Sequence, residues 1–473
     1  MRIVTVASEL APLAQSGGLG DALAGLSRAL AARGHEIVTL LPAYRSTLAL
    51  PACPRLADAG AVRLDSPHGE IRGRWLAGEL APRQSVRLLD LPLFFDRSDL
   101  YGFADDAARF ASFARAAALL AHEQRPDVLV AHDWHAALAI CALRVLFDRG
   151  LTRGVGAVQV VHNNAYQGRF PASAMSWTGL PQALFAPDAL EFFGDLSLLK
   201  AGLLWADRII TVSPGYAREI QTPEFGAGLE GVYQQRRARL LGIANGLDVE
   251  RFDPGQDPAL PERFHVGSLG GKRVCRDAAL AELELEKPEA GKFLVGIGRF
   301  AVQKGWDVLA DALEGLVASG ASLALLGDGE RAIADALRVV AARFPSRVKL
   351  IVGWDEAVAR RLYAAADCVL VPSRFEPCGL VQLTAQRYGA LPVAHKVGGL
   401  ADTIRDGETG ILFAPLTAAK LIAAAARAAQ LVRARGQERV VRDLLRTDVS
   451  WARPAALWEA ALEEVAREAR ARI

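Results

Sequence analysis

The sequence has few cysteines, and their distribution excludes several kinds of site. The five cysteines are Cys53, Cys141, Cys275, Cys368 and Cys378. They are scattered, odd in number and lack the spacing of metal ligands, which argues against a disulfide framework and a cysteine-bound metal. We therefore expect a reduced, cytoplasmic chain.

Long apolar runs are also missing. The stretches at 116–121, 136–147 and 421–432 are rich in alanine or interrupted by charges, so none predicts a membrane span. The first residues, MRIVTVASELAP, read as a strand and lack the apolar core and cleavage pattern of a signal peptide. We therefore expect a soluble protein that does not bind the membrane.

No charge of either sign is in clear excess. The chain has 55 Lys and Arg against 53 Asp and Glu, a formal net charge of +2, which gives no overall basis for binding nucleic acid. An anion site would have to be built locally. Hydrophobic residues make up 51% of the 473 residues, and this length predicts two domains of roughly 200 residues each.

Strand-like and helix-like segments alternate through both halves of the chain. This alternation predicts an α/β fold with a parallel sheet and right-handed crossovers in each half. The first half ends near Asn245 and Gly246, and the second begins its own alternation with the strand 293–300. The predicted domains are therefore 1–245 and 246–449.

The stretch 368–389 predicts a buried strand, a turn and a helix that includes Leu380. In that arrangement the amides of Cys378, Gly379 and Leu380 have no partner within the helix and lie at its positive end, which suits a phosphate. Pro377 is compatible with the first helical turn.

Glu376 lies in the same turn, and a carboxylate is a poor phosphate ligand. We expect it to meet sugar hydroxyl groups or positive charge that develops on a sugar. The alternative is a surface turn in which Glu376 pairs with Arg374. A thiolate nucleophile at Cys378 is a further alternative, because a helix end can lower a thiol pKa.

The next candidate segment, Gly298–Gly305, contains two cationic residues, one near each end. Arg299 is predicted at a strand end and Lys304 at a helix start, so both can point at one spot above the sheet. Such a pair would bind a diphosphate and stabilise it as a leaving group. Surface ion pairing is the alternative. No Asp-x-Asp segment is present to clamp a metal.

The first half has a glycine-rich turn of its own, residues 15–20 (QSGGLG), between a strand and a helix predicted to begin at Asp21. In doubly wound sheets ligands bind outside the carboxyl ends of the strands, so this turn is placed where a ligand would bind. The segment is not G-x-G-x-x-G, so the dinucleotide fingerprint is absent. A tight connection without function is the alternative.

Histidines follow two further predicted strands. His132 and His135 are three residues apart, but no third ligand with suitable spacing accompanies them, which argues against a metal site. His162 opens the polar turn after VQVV, where a structural hydrogen bond and a catalytic role are both compatible with the sequence.

The segment EPCGL at 376–380 resembles the signature of bacterial glycogen synthases and starch synthases, which are retaining glycosyltransferases with the GT-B fold. Further segments resemble the family in the same order: 8–21, 132–135, 162–168, 211–231, 245–248, 299–305 and 397–410. The resemblance implies two Rossmann-like, doubly wound parallel-sheet domains with a cleft between them. The first would face the acceptor, the second would bind the nucleotide sugar, and a C-terminal helix, about 450–473, would pack back on the first.

The resemblance also implies an activity and its residues. Glucose would pass from ADP-glucose to the non-reducing end of an α-1,4-glucan such as glycogen, without a metal or other cofactor. The implied catalytic residues are His162, Arg299, Lys304 and Glu376. The implied donor-binding residues are Gln15, Gly17, Gly18, Asp21, Asn245, Trp354, Cys378, Gly379, Leu380, Gly398 and Gly399. The implied acceptor-binding residues are Asp133, Trp134 and Tyr166.

Two positions depart from the family pattern. Gln15 stands where the family has Lys, and Val381 stands where bacterial members often have Thr. The sequence therefore leaves two alternatives open: a GT-B transferase that uses another donor, such as UDP-glucose, or a small acceptor, and a glycan-binding regulatory protein without turnover. For Trp354, core packing is the alternative to stacking on the nucleotide base.

Overall fold

The computed structural model describes residues 1–147 and 154–472. Its contacts divide the chain into two compact units, one formed by Met1–Asn245 with the segment from Trp451 onward, the other by Gly246–Ser450. Each unit has an α/β architecture, as predicted, and each is described by itself.

The first unit begins with a strand and alternates thereafter. Its strands are β1 (Arg2–Val6), β2 (Glu36–Pro42), β3 (Ala57–Ser66), β4 (Gly69–Ala81), β5 (Gln84–Asp90), β6 (Val128–His132), β7 (Gly156–Val161), β8 (Arg169–Pro171), β9 (Glu191–Phe192), β10 (Asp195–Ser197), β11 (Arg208–Thr211) and β12 (Leu240–Gly242). Its helices before the domain boundary are α1 (Gly18–Ala32), α2 (Arg45–Ala49), α3 (Pro92–Phe95), α4 (Asp106–Gln124), α5 (Asp133–Val145), α6 (Leu198–Trp205), α7 (Pro214–Glu219) and α8 (Glu230–Gln235). Short 3-10 helices occupy 172–177, 182–184 and 237–239.

Nine strands of the described residues form one sheet, in the order β12-β11-β7-β6-β1-β2-β5-β4-β3. The strands from β12 to β5 pair in parallel, whereas β3, β4 and β5 pair antiparallel because short connections join them. Strands β6 and β7 are buried along their whole length, as expected for strands covered on both faces. The order reverses beside β1, so the loops after β1 and β6 meet at a topological switch point.

The second unit repeats the alternation with a smaller sheet. Its strands are β13 (Phe293–Ile297), β14 (Ser322–Gly327), β15 (Val348–Val352), β16 (Cys368–Val371), β17 (Leu391–His395) and β18 (Ile411–Phe413). Its helices are α9 (Gly270–Glu282), α10 (Trp306–Ala318), α11 (Arg331–Ala341), α12 (Glu356–Ala365), α13 (Val381–Arg387), α14 (Gly398–Thr403), α15 (Ala418–Arg435) and α16 (Gln437–Leu445). A 3-10 turn, Val302–Lys304, precedes α10.

All neighbouring strands in this sheet are parallel, in the order β15-β14-β13-β16-β17-β18. The order reverses between β13 and β16. The loops that follow these two strands therefore lie side by side at the carboxyl edge, where ligands of doubly wound sheets bind. These loops carry the Arg299–Lys304 segment and the Glu376 turn.

The last helix, α17 (Ala452–Arg470), belongs to the first unit. Trp458, Leu462 and Val465 are buried against apolar residues of α1, β1, β6 and β7. The polar rim adds an ion pair between Arg239 and Glu468 (2.6 Å). This helix therefore covers one face of the first sheet. Among the described residues, no helix combines the length and apolarity that a membrane crossing requires.

Candidate active site

In the second unit, Lys304 and Glu376 are direct partners. The Lys304 ammonium lies 2.7 Å from Oε2 of Glu376, and the Ser373 hydroxyl donates to the same oxygen at 2.9 Å. The side chain of Glu376 is 8% exposed and that of Lys304 is 24% exposed. The alternative pairing of Glu376 with Arg374 is wrong, because Arg374 makes a two-pronged ion pair with Asp307 (2.7 and 2.6 Å).

The two loops that carry this pair are held together by backbone contacts. Gly305 has φ +69°, and a Cβ there would lie 1.9 Å from the carbonyl oxygen of Pro372, so only glycine permits this approach. The Gln303 side chain donates to the Phe375 carbonyl (3.1 Å), and the Arg374 amide donates to the Gln303 carbonyl (2.8 Å). The turn between Arg299 and Lys304 is therefore fixed against the Glu376 loop.

Arg299 lies directly after Gly298 at the end of β13, with an exposed side chain. Its carbonyl accepts a hydrogen bond from the Trp306 indole (2.8 Å), which ties this loop to the start of α10. Arg299 and Lys304 thus stand on one short loop at the carboxyl edge of the sheet.

The predicted position of the helix after Glu376 is wrong by several residues. Helix α13 begins at Val381, so Pro377 is not in its first turn. Gly379 adopts φ +76°, and the Glu376 carbonyl accepts from the Gly399 amide (2.9 Å) instead of opening a helix. Residues 377–380 form an irregular turn before the helix, with Leu380 at the N-cap.

Gly399 lies against this turn, and Gly398 precedes it with φ +43°. A Cβ at Gly399 would come within 2.4 Å of both Cα and the carbonyl oxygen of Cys378, so the close packing of the two backbones requires glycine. Gln382 donates to the carbonyls of Cys378 (2.9 Å) and Gly379 (2.8 Å). The Cys378 side chain is buried, which makes it a poor candidate for a nucleophile.

Trp354 lies two residues after the end of β15, and 60% of its surface is exposed. The core-packing alternative for this tryptophan is therefore wrong. An exposed indole near a strand end has a face available for stacking on a planar ring.

In the first unit, the glycine-rich turn leads directly into α1, which begins at Gly18 and not at Asp21. The Gln15 amide donates to Oδ2 of Asp21 (2.6 Å), so Gln15 contacts a carboxylate. Gly17 has an extended backbone, and a Cβ built there meets nothing within 4 Å. The turn therefore has open space beside Gly17.

Glu9 was missed by the sequence reasoning. Its buried carboxylate accepts hydrogen bonds from the amides of Ser16 (2.8 Å) and Gly17 (3.2 Å), from the Ser16 hydroxyl (2.8 Å) and from the Tyr101 hydroxyl (2.9 Å). Glu9 thus anchors the glycine-rich turn to the segment after β1. The sequence predicted a strand that continues through Glu9, whereas β1 ends at Val6 and leaves Glu9 in the loop that follows.

Asp133 and His162 meet where β6 and β7 end. The Asp133 carboxylate accepts from the backbone amide of His162 (2.7 Å), and Asp133 has a strained φ of +54°. Burial raises the pKa of Asp133 to about 7, and burial lowers the pKa of His162 to about 4. His162 is therefore a neutral imidazole near pH 7.

Trp134 and Tyr166 line one cavity of about 440 Å³ in the first unit, together with Gly168, Arg169 and Phe170. Tyr166 is 51% exposed. The rings of Trp134 and Phe170 lie 5.5 Å apart, edge to face. Asp133 is not part of this lining. Asn245, the remaining predicted residue of this unit, lies half-buried three residues after β12.

No group of three or more His, Cys, Asp or Glu side chains suited to holding a metal ion occurs in the part of the chain that the structure describes. The polar groups at the two carboxyl edges are instead cations, amides, single carboxylates and neutral imidazoles. This set suits a phosphorylated sugar and its hydroxyl groups.

The two parallel-sheet units and their edge loops are those of a GT-B glycosyltransferase. Residues 2–235 match the model of the starch synthase catalytic domain, and residues 291–430 match that of group 1 glycosyl transferases. The chain belongs to the bacterial glycogen synthase and starch synthase family, and it is a glycosyltransferase.

Similar proteins span nearly the whole chain. It is 42% identical to a glycogen synthase of Anaeromyxobacter dehalogenans (strain 2CP-C), with 97% of this chain and 98% of the relative covered. It is 39% identical to one of Methylocella silvestris, with 98% and 99% covered. The catalytic domain of starch synthase IV from Arabidopsis thaliana, bound to ADP and acarbose, superposes with a TM-score of 0.90 at 29% identity, covering 98% of this chain and 99% of that one. A sucrose-phosphate synthase from Thermosynechococcus elongatus, at 19% identity, TM-score 0.62 and 98% of both chains, shares the fold.

Proposed function

We propose that the protein is a glycogen synthase that transfers glucose from ADP-glucose, with retention at the anomeric carbon, to the non-reducing end of an α-1,4-glucan. The observation that carries this is the ion pair between Lys304 and Glu376 on the two loops of the switch point. Arg299 lies on the same loop as Lys304. Curated relatives named glycogen synthase and a starch synthase structure bound to ADP and acarbose support the donor and the acceptor class.

In this proposal Arg299 and Lys304 bind the diphosphate and stabilise the negative charge that grows on it as the glycosidic bond breaks. Electrostatic donors of this kind contribute about 3 to 4 kcal/mol each to a transition state. Glu376, held by Lys304 and Ser373, contacts sugar hydroxyls and the positive charge that develops on the sugar ring. The neutral imidazole of His162 contacts the donor sugar.

The chemical step needs no covalent enzyme intermediate in this scheme. The acceptor hydroxyl forms the new bond to the anomeric carbon on the face that the diphosphate leaves. Its proton passes to a phosphate oxygen of the departing nucleoside diphosphate. The buried thiol of Cys378 takes no part.

The remaining assignments divide by unit. The turn formed by Gln15, Gly17, Gly18 and Asp21, with Asn245, would contact the donor from the first unit. The backbone of Cys378, Gly379, Leu380, Gly398 and Gly399, with the exposed indole of Trp354, would hold the nucleotide in the second. Asp133, Trp134 and Tyr166 would bind the glucan, and the cavity shared by the two aromatic residues supports this. Use of a nucleotide sugar as donor would place the reaction in the cytoplasm.

The test is to incubate the purified protein with glycogen and ADP-, UDP- or GDP-glucose, and to measure release of the nucleoside diphosphate. We expect kcat/KM for ADP-glucose to exceed the other two by at least about tenfold, or 1.4 kcal/mol. A preference for UDP-glucose would support the alternative hypothesis of a GT-B transferase that uses another donor. No release from any donor, with glycogen still bound, would support a regulatory glycan-binding protein.

A further inference from the structure

His132 and His162 share one hydrogen bond at the carboxyl edge of the first sheet. Their Nδ1 and Nε2 atoms lie 2.8 Å apart, and their rings are 5.1 Å apart with a tilt of 30°. His132 is the last residue of β6 and pairs in register with Val160 of β7, two residues before His162. Adjacent parallel strands therefore place the two rings side by side.

His132 is 1% exposed, and its Nε2 atom is buried without a hydrogen-bond partner among the described residues. The state of this Nε2 atom differs between the two possible directions of the shared hydrogen bond. If His162 donated from Nε2, neutral His132 would carry its hydrogen on Nε2 and leave a buried N–H unpaired. If His132 donates from Nδ1, its Nε2 is only an unpaired acceptor. The arrangement with His132 as donor is the one that leaves no buried N–H of this ring unpaired.

The direction of this bond fixes the chemistry of His162. With Nε2 accepting from His132, the neutral ring carries its hydrogen on Nδ1. Burial lowers the pKa of both imidazoles, so neither ring is protonated to the cation near pH 7. The Asp133 carboxylate holds the backbone of the same residue through the His162 amide. His162 is thus restrained at its main chain by Asp133 and at its ring by His132.

We propose that His132 is a positioning residue that sets the tautomer and orientation of His162, so that His162 offers an Nδ1–H donor to a sugar hydroxyl. This rests on the proposed function, in which His162 contacts the donor sugar. His132 acts through His162 and does not itself touch the substrate.

Two substitutions at position 132 separate the hydrogen bond from the presence of a polar side chain. In His132→Asn the amide nitrogen replaces Nδ1, and in His132→Gln it replaces Nε2. We expect His132→Asn to keep kcat within about threefold of wild type and His132→Gln to lower kcat by about tenfold or more, as for a lost buried hydrogen bond. Equal losses in two folded variants, or no loss in either, would overturn the proposal.

Repeating His132→Gln in a His162→Ala background distinguishes a positioning role from a structural one. We expect no further loss of kcat there, because the residue through which His132 acts is already gone. A loss as large as in the wild-type background would show that His132 acts independently of His162.

The closing experiment needs no catalytic activity. Nitrogen NMR of protein labelled with ¹⁵N-histidine reports which ring nitrogen carries hydrogen, and His162→Gln assigns the signal. We expect His162 to carry hydrogen on Nδ1 in the wild type and to lose this preference in His132→Gln. Hydrogen on Nε2 of His162 in the wild type would refute the inference, whereas absence of transferase activity with the expected tautomer would count against the proposed function alone.

Discussion

The Lys304 ammonium donates to Oε2 of Glu376 across 2.7 Å, and the Ser373 hydroxyl donates to the same atom. One carboxylate oxygen therefore carries two donors, one of them charged, on loops from two adjacent strands. Removal of either member leaves the other without its partner in a largely buried setting, which is costly for a charge. The pair is both a structural link between the loops and the centre of the proposed site.

Lys304→Ala and Glu376→Gln should each lower kcat by about a hundredfold or more, because each removes a charge that acts on the transition state. Arg299→Ala should have a comparable effect. The losses from Lys304→Ala and Glu376→Gln should not add in the double variant, since the two residues contact each other. Steady-state rates at saturating donor measure this.

Lys287→Ala is the matched control for these variants, because Lys287 is an exposed lysine paired with Asp277 (2.8 Å) elsewhere on the second unit. Its activity should stay within about twofold of wild type, as for other exposed ion pairs. Near-normal rates for Lys304→Ala at saturating donor would contradict the diphosphate assignment.

Gly17→Ala tests whether the open space beside the glycine-rich turn receives a ligand. The backbone of Gly17 is extended, and the added methyl group meets nothing within 4 Å, so folding should be unaffected. If the donor approaches this backbone, the methyl group should raise the donor KM by about tenfold. The measurement is a donor titration together with a melting curve.

Gly231→Ala provides the comparison for Gly17→Ala, because a Cβ at this exposed position in α8 also meets nothing. It should leave KM unchanged and add a few tenths to about 1 kcal/mol of stability from helix propensity. A donor KM for Gly17→Ala equal to that of wild type would show that no ligand approaches the turn.

Gln15→Lys should restore a positive charge to the glycine-rich turn. Coulomb attraction to a diphosphate at ~4 Å is on the order of 1 to 4 kcal/mol, and part of it would be offset by Asp21, which Gln15 already contacts at 2.6 Å. We expect the donor KM to fall roughly tenfold and kcat to stay within a few-fold. Gln15→Met, which has neither charge nor donor, should raise KM. A KM that is unchanged or higher in Gln15→Lys for every sugar nucleotide tested would contradict the position of this turn at the diphosphate.

Lys272 should make stability depend on pH in the alkaline range. Its buried ammonium donates to the carbonyls of Tyr363 (3.2 Å) and Tyr388 (2.8 Å), and burial lowers its pKa from 10.5 to about 7. Between these values the unfolded chain holds a proton that the folded chain releases, so stability rises with pH. Urea unfolding should show that the free energy of unfolding of the wild type, relative to that of Lys272→Met, rises by about 2 kcal/mol between pH 7 and pH 9. A difference between wild type and Lys272→Met that stays constant with pH would contradict the burial argument.

Much of the fold follows from local pattern. The run CVLV forms strand β16, and the strands and helices around it form a parallel sheet, as predicted. Both could be predicted because buried parallel strands are apolar throughout and are separated by amphipathic helices. The order of the strands, which brings the loops of β13 and β16 together, depends on crossovers that residue periodicity does not encode. Family resemblance supplied that step.

Side-chain partnerships at the edge loops were the least predictable part. Glu376 was expected to meet a sugar, but its contact with Lys304 depends on Gly305 lying against Pro372, which is far away in sequence. The anchoring of the glycine-rich turn by Glu9 likewise depends on a strand end and a later loop that carries Tyr101. Such contacts are set by tertiary packing, which local propensity does not determine.

The central claim is most directly tested by following the glucose itself. ADP-glucose labelled in its sugar would be incubated with the protein and a linear α-1,4-glucan, and the product would be treated with an enzyme that removes maltose from non-reducing ends through α-1,4 bonds. Retaining transfer to the non-reducing end predicts that the label enters the glucan and is released as maltose at the start of digestion. Label that never enters the glucan, or that enters it and resists this digestion, would contradict the proposed function.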